Sequence, residues 1–379
     1  MNSGNTSNKM LVRGLLVALA ASCFSLLASE PQGQNNNAPV FVKTKFGGFI
    51  LGYDIDQTGT EGLLSESLTL SGGTFDVATE TFDQKTGKIL KVVSHQTSTH
   101  NDFVTLGIFG SSVGLVEFEK SKNIFVNQRL YKTINPLDAN QFTGQWTPPL
   151  TTSDLILGVA PSQGSANTAV LASQSFNSFV FSSDVAANTF GPVIQLTNSV
   201  FGFNDSPVIA IDTVTNQAIV AASNGSPTSI PEIAEVDLTG GNVSEFTGLG
   251  FGFANGIAVD SEDGIACTST EIDFSLEFYN LATQTGFKVP LHKATSQIYS
   301  GGYVQFDAVN KLFLVGQEFS STAPSGSSIQ VFNTQGKFIK AINGLSLPAS
   351  PAYIALNPGQ RRGFVIVTPA LTELQSFTY

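Results

Sequence analysis

Charged side chains are scarce in this chain. Asp, Glu, Lys and Arg together make up 12% of 379 residues, about half the usual share. Methionine occurs twice, and beyond the N-terminal segment no stretch keeps a helical apolar period. With few long charged side chains to solvate outer helix faces, a helical bundle is excluded. Cysteine also occurs only twice, as Cys23 and Cys267, so no disulfide framework supports the fold. Cys267 lies between Gly264-Ile265-Ala266 and Thr268-Ser269-Thr270, a strand-like context in which a lone Cys is a small buried apolar residue. Basic clusters are missing too. Arg361-Arg362 is only a pair, and the formal net charge is −11, which disfavours nucleic acid and anionic membranes as partners. What the chain has instead is 36 Gly and 30 Phe, with Ser, Thr and Asn at the turns. This is the composition of many short, well-buried strands.

The N-terminus reads as an address. Lys9 and Arg13 precede an apolar run, and small residues follow up to Ser29. A basic segment, a short apolar core and a small-residue site make a secretory signal. The run is short for a membrane span, although an uncleaved anchor remains the alternative. Ala20-Ala21-Ser22-Cys23 adds another reading, since it resembles a bacterial lipoprotein cleavage site in which Cys23 would become lipidated. Residues 30–38, with three consecutive Asn, form a polar linker, leaving residues 39–379 as one domain. Loss of 1–29 leaves 16 basic against 29 acidic residues, a net charge of −13. The expected location is periplasmic, secreted or lipid-anchored at the cell envelope, with membrane contact only through a lipid at Cys23.

The decisive feature is an internal repeat. A short apolar strand ends in Asp or Asn, a turn follows, and a second apolar strand begins. Ile209-Ala210-Ile211-Asp212, Ile257-Ala258-Val259-Asp260, Val304-Gln305-Phe306-Asp307 and Ile354-Ala355-Leu356-Asn357 are its four clearest copies. The anchors Asp212, Asp260, Asp307 and Asn357 are 48, 47 and 50 residues apart. A second phrase closes each unit, a strand followed by a polar turn, as in Val236-Asp237-Leu238-Thr239-Gly240 and Val331-Phe332-Asn333-Thr334-Gln335-Gly336. Four short strands with their turns fill such a period, which is one propeller blade. Weaker copies are placed at about 48–93, 103–146 and 155–198. The last unit has room for only three strands, while Pro39–Phe46 is a spare strand at the other end of the domain. Pairing the two closes the ring. The expectation is an all-β propeller of seven four-stranded blades closed by an N-terminal strand; six and eight blades stay open.

These repeats resemble NHL-repeat and related secreted propellers. Two further segments resemble the gluconolactonase and regucalcin family. Phe201-Gly202-Phe203-Asn204-Asp205 and Phe251-Gly252-Phe253-Ala254-Asn255-Gly256 precede the innermost strands of successive blades. The resemblance implies a channel-mouth site in which Asn204 and Asn255 help to hold Ca²⁺ or another divalent metal and a lactone is opened. The family's Asp would align with Gly302, and no Glu can be assigned. The bland reading is that Asn and Gly make the turn into the inner strand.

Other motifs carry less. Gly110-Ser111-Ser112-Val113-Gly114 matches a nucleophile elbow in letters but leads into a strand, not a helix. His95, His100 and His292 lack the spacing of a zinc site. Asp54-Ile55-Asp56-Gln57-Thr58-Gly59 begins like a Ca²⁺ loop but has Ser65 where the bidentate Glu belongs, and reads as a tight turn. Trp146, the single Trp, is either a binding-surface aromatic or a strand residue before Pro148. The favoured function is an exported, non-catalytic module that needs no cofactor and binds a protein, glycan or small molecule. The alternative is a divalent-metal-dependent, lactonase-like hydrolase. A third reading is a tethered or secreted surface module serving adhesion.

Overall fold

The computed structural model describes residues 38–379 except 58, 70–74, 95–105, 110–112, 124–125, 136–141, 151–154, 162–166, 175–176, 198–200, 202–206, 223–231, 248–253, 271–274, 292–297, 320–327, 346–352 and 368–370. The contacts divide the chain after Ala38, and the second unit, Pro39–Tyr379, is the propeller. Among the described residues there is no α-helix.

Seven antiparallel sheets follow one another along the chain. Blades 1 to 6 span residues 49–94, 106–146, 155–196, 208–247, 254–290 and 298–343. Each is a meander in which sequence order is also sheet order. The innermost strand of each blade contacts that of the next, and Ala355–Asn357 of blade 7 returns against Phe49–Ile55 of blade 1, which closes a seven-membered ring. The first three blades lie within a few residues of their expected places, although their repeats are degenerate. Blade 3 has a divided outer strand, Thr189–Phe190 and Ile194–Leu196. Pro192, which has no N–H to donate, stands at the break.

Blade 7 is completed from the other end of the domain. Phe41–Lys43 pairs antiparallel with Glu373–Thr378, with Val42 opposite Leu374. The contact extends beyond the strand. The Ser376 N–H donates to the Val40 carbonyl (2.8 Å) and the Thr44 N–H to that of Thr372 (3.1 Å). The spare N-terminal strand is therefore the outer strand of the last blade.

The anchors of the repeat are turn-makers. Oδ1 of Asp212 accepts from the N–H groups of Val214 and Thr215, that of Asp260 from Glu262 and Asp263, and that of Asp307 from Val309 and Asn310. Asn357 accepts from Gln360 in the same way. A short side chain that satisfies two turn amides at the end of a strand is why Asp or Asn recurs there. The last turn residue has positive φ in each copy: Asn216, Gly264, Lys311 and Arg361. Gly264 adopts it without strain.

The core lies between blades. One cluster joins Leu171, Val180 and Phe201 of blade 3 and its exit to Val220, Ala234 and Val236 of blade 4. Comparable clusters join blades 2 and 3, 4 and 5, 5 and 6, 6 and 7, and 7 and 1. At the closing seam Phe82 meets Phe364 edge-on at 5.6 Å. Both faces of these strands thus carry apolar side chains, so blade stability comes from neighbours, and Phe181, Phe278, Phe313 and Phe364 are among the aromatic rings used there.

Candidate functional site

Because each blade is an antiparallel meander, its first and third turns lie at one end of the ring and its second turn and exit at the other. The Asp anchors mark the first end. The sequence placed its candidate site at the second, around Asn204 and Asn255. Asn204 lies outside the described residues, as do His95, His100 and His292. Asn255 is half-buried on the innermost strand Ala254–Asp260. It is the extra residue of a β-bulge, because Ala254 pairs with Thr270 and Gly256 with Ser269.

The bulge gives Asn255-Gly256 a structural meaning. A Cβ on Gly256 would lie 2.6 Å from the Val304 nitrogen and 2.9 Å from the Tyr303 Cα. Only glycine lets the innermost strands of blades 5 and 6 approach so closely. The same bulge-then-glycine device occurs as Leu51-Gly52 in blade 1 and Leu157-Gly158 in blade 3. In those two blades a leucine occupies the bulge. Gly302, aligned with the family's Asp, presents its carbonyl to the Ser269 hydroxyl at 2.5 Å. Among the described residues no group of three or more His, Cys, Asp or Glu could hold a metal ion. Of the implied ligand set, Asn255 lies among the described residues and Asn204 does not.

A different group of side chains does meet where the innermost strands of blades 6, 7 and 1 adjoin. Tyr303 stands on the innermost strand Ile298–Asp307 of blade 6 and is 39% exposed. Its ring meets that of Tyr353 edge-on at 5.8 Å, and Tyr353 meets Tyr53 of blade 1 at 5.6 Å. The Tyr353 hydroxyl donates to Oδ1 of buried Asp54 at 3.4 Å. The Tyr53 hydroxyl donates to the Tyr353 carbonyl and accepts from the Ile366 N–H. Burial raises all three phenols above their ordinary range, and Asp54 adds to the rise for Tyr53 and Tyr353. They stay protonated near neutral pH, as donors and apolar faces rather than nucleophiles. Blades 6, 7 and 1 thus present a rigid aromatic wall with one open member. Tyr303 and Tyr353 both stand four residues before a repeat anchor, Asp307 and Asn357; that shared offset was the missed signal.

The strongest electrostatic feature lies at the closing joint. Glu66 and Glu80, both fully buried, are diagonal neighbours on adjacent strands of blade 1. Glu80 accepts from the Lys45 N–H at 3.2 and 3.1 Å, and Glu66 from those of Phe46 (3.1 Å) and Gly48 (2.7 Å). Two carboxyls thus hold the loop between the closing strand and blade 1. Burial first, then the hydrogen bond and charge of Glu66, push the Glu80 carboxyl up to about 8.

The remaining motifs resolve into structure. Trp146 is buried at the end of the strand Phe142–Trp146, and its Nε1–H donates to the Ser183 hydroxyl at 2.9 Å. Cys267 is a buried strand residue with its thiol pushed up by burial. Asp54 lies in the strand Phe49–Ile55, and Asp56 opens a turn closed by its N–H and the Glu61 carbonyl at 2.9 Å. Val113 and Gly114 lie in the strand Val113–Asn123.

No protein-family model matches the chain, and no curated relative does. Solved structures do match. A chain of a crystal structure of the mitotic checkpoint complex aligns with 94% of this chain and 97% of its own length, at 13% identity and a TM-score of 0.58. A chain of the crystal structure of Chaetomium thermophilum Sqt1 bound to the N-terminus of the ribosomal protein L10 aligns over 91% and 100%, at 10% identity and a TM-score of 0.57. At such identities the likeness is one of fold: this chain shares with them a propeller ring that runs almost end to end.

Proposed function

We propose that this chain is an exported propeller that binds a protein partner at the channel face of blades 6, 7 and 1. The observation that carries the reading is Tyr303, a large aromatic exposed on an inner strand and backed by Tyr353, Tyr53 and Asp54. A tyrosine held by its neighbours offers contact area and a hydroxyl at little entropic cost, which is what binding surfaces select. The similar structures support the same use of the fold, since one is named for a complex and the other for a bound ribosomal-protein N-terminus. Residues 1–29 supply the export signal, with Cys23 as the point of lipid attachment if one is made. The kinship with NHL-repeat propellers is architectural in this reading.

The test is a photo-crosslinking amino acid placed at Tyr303 in the producing cell, with the same substitution at Val193, an exposed residue in the break of blade 3's outer strand, as control. One discrete adduct from position 303 that is absent from 193 supports the reading. Identical patterns, or none from 303, defeat it. The intact mass of the cell-envelope form decides between cleavage and lipidation at Cys23.

A further inference from the structure

At the end of the ring that carries the Asp anchors, neighbouring blades are tied together by their turns. The Thr213 N–H donates to the Ser261 hydroxyl across blades 4 and 5. Lys311 reaches back from blade 6 to Asp260 and Glu262 of blade 5 at 2.8 and 2.6 Å. Asn310 donates to the Pro358 carbonyl across blades 6 and 7, and Asn357 to Gln84 across blades 7 and 1. Between blades 3 and 4, at the same end, the described residues line a cleft of about 340 Å³.

Its walls are unlike a channel or a core. Ser182, Asp184 and Phe190 come from blade 3, and Ile211, Asn216 and Leu238 from blade 4. The rest of the described lining adds hydroxyl and amide side chains and one glycine, with no lysine, arginine or histidine among the described residues. That glycine, Gly191, makes room for the Ser182 hydroxyl, which a Cβ would meet at 2.2 Å. The turn uses one Asp184 oxygen, which accepts from the Ala187 N–H at 2.9 Å. The Asn216 amide nitrogen donates to the Thr239 hydroxyl at 2.8 Å, so its oxygen is the group left to accept. Phe190 is wedged between Trp146 and Phe181, with ring centres 5.7 and 6.1 Å away, which fixes its orientation.

We propose that this cleft binds a neutral carbohydrate of one or two sugar rings. Without a cationic side chain the lining has nothing to neutralise a phosphate or carboxylate. With one carboxylate the described lining offers little negative charge to offset a divalent cation. Hydroxyl, amide and carboxylate groups facing Phe190, Ile211 and Leu238 match a ligand that alternates hydroxyl groups with C–H faces. The volume is at the small end of ligand sites. The proposal is independent of the protein-binding face, which lies on other blades.

Trp146 is a built-in reporter, since its partner Ser183 lines the cleft and its ring neighbours Phe190. The purified protein is titrated with glucose, galactose, mannose, N-acetylglucosamine, maltose, cellobiose, lactose and chitobiose. Binding is read by Trp fluorescence and by saturation-transfer NMR. At least one saccharide should saturate with a Kd in the millimolar range or tighter. Ser182→Ala and Asp184→Asn should each weaken it about tenfold, equivalent to about 1.4 kcal/mol, with unchanged thermal unfolding. Asp184→Asn retains the oxygen that accepts from Ala187, so a folded variant is expected. The proposal is overturned if no saccharide saturates, or if both variants bind like the parent. Crosslinking from position 303 should be the same in both variants, which separates failure here from failure of the protein-binding reading.

Discussion

Glu80 is the residue whose ionisation should be visible in the whole protein. Its carboxyl is held at about 8 by burial and by Glu66, far above its ordinary value, so the folded state favours the protonated form. The stabilisation is complete below the ordinary carboxylate range and is lost as pH rises through the folded value. Between about pH 6 and pH 9 the other carboxylates are already charged, and comparison with a Glu80 variant cancels the three histidines that also titrate there. Thermal unfolding followed by circular dichroism should show the midpoint falling across that window. Glu80→Gln keeps an oxygen for the Lys45 N–H and removes the charge, so its midpoint should stay nearly flat. Parallel curves for parent and variant would mean that the pair carries no shared proton. Lys45, the cation acting on Glu80, opposes the shift, and Lys45→Ala should move the fall to higher pH.

At the scale of the strand, the lesson is about register. The Asp and Asn anchors were legible because their role is local: one side chain caps one turn, and the letters recur at a near-constant interval. The bulge at Asn255 was not, because a bulge exists only relative to a partner strand, and the sequence does not display which residues face each other. The Glu66–Glu80 pair was hidden for the same reason. The two are 14 residues apart, and only the pairing of Leu64 with Glu80 brings them together. Trp146 stayed open between two uses until its partner Ser183, from the next blade, was known. Asn255-Gly256 therefore drew attention to the wrong member of the dipeptide. Gly256→Ala should cost about 1–3 kcal/mol, the usual price of forcing a methyl into packed backbone, whereas Asn255→Ala should cost less. Chemical denaturation of the two variants checks the order, and the reverse order would make Asn255 the residue that matters there.

At the scale of the ring, the propeller is held shut by a very short piece of chain. Closure could be inferred from arithmetic, since a three-strand last unit and a spare N-terminal strand have one natural solution, whereas the degenerate first half left six and eight blades open beside seven. What arithmetic could not supply is how closure is secured. Three residues, Phe41–Lys43, form the strand. Around them, Val42 and Leu374 are buried in the cluster shared by blades 7 and 1. Lys43 lies 3.4 Å from Glu373, an exposed pair of small worth. The Val40 N–H donates to the Ser376 hydroxyl at 2.7 Å, and the loop that follows is gripped by Glu66 and Glu80. A chain that begins at Thr44 would lose the strand and leave the edge of Glu373–Thr378 unpaired, a template for another chain. Compared with a chain that begins at Pro39, it should unfold at a markedly lower temperature and self-associate in size-exclusion chromatography. Adding a peptide of residues 39–46 in excess should restore a monomer and raise the midpoint with peptide concentration, because a ligand bound only by the folded ring stabilises it by mass action. A truncated chain that stayed monomeric and equally stable would show that the inter-blade clusters alone keep the ring closed.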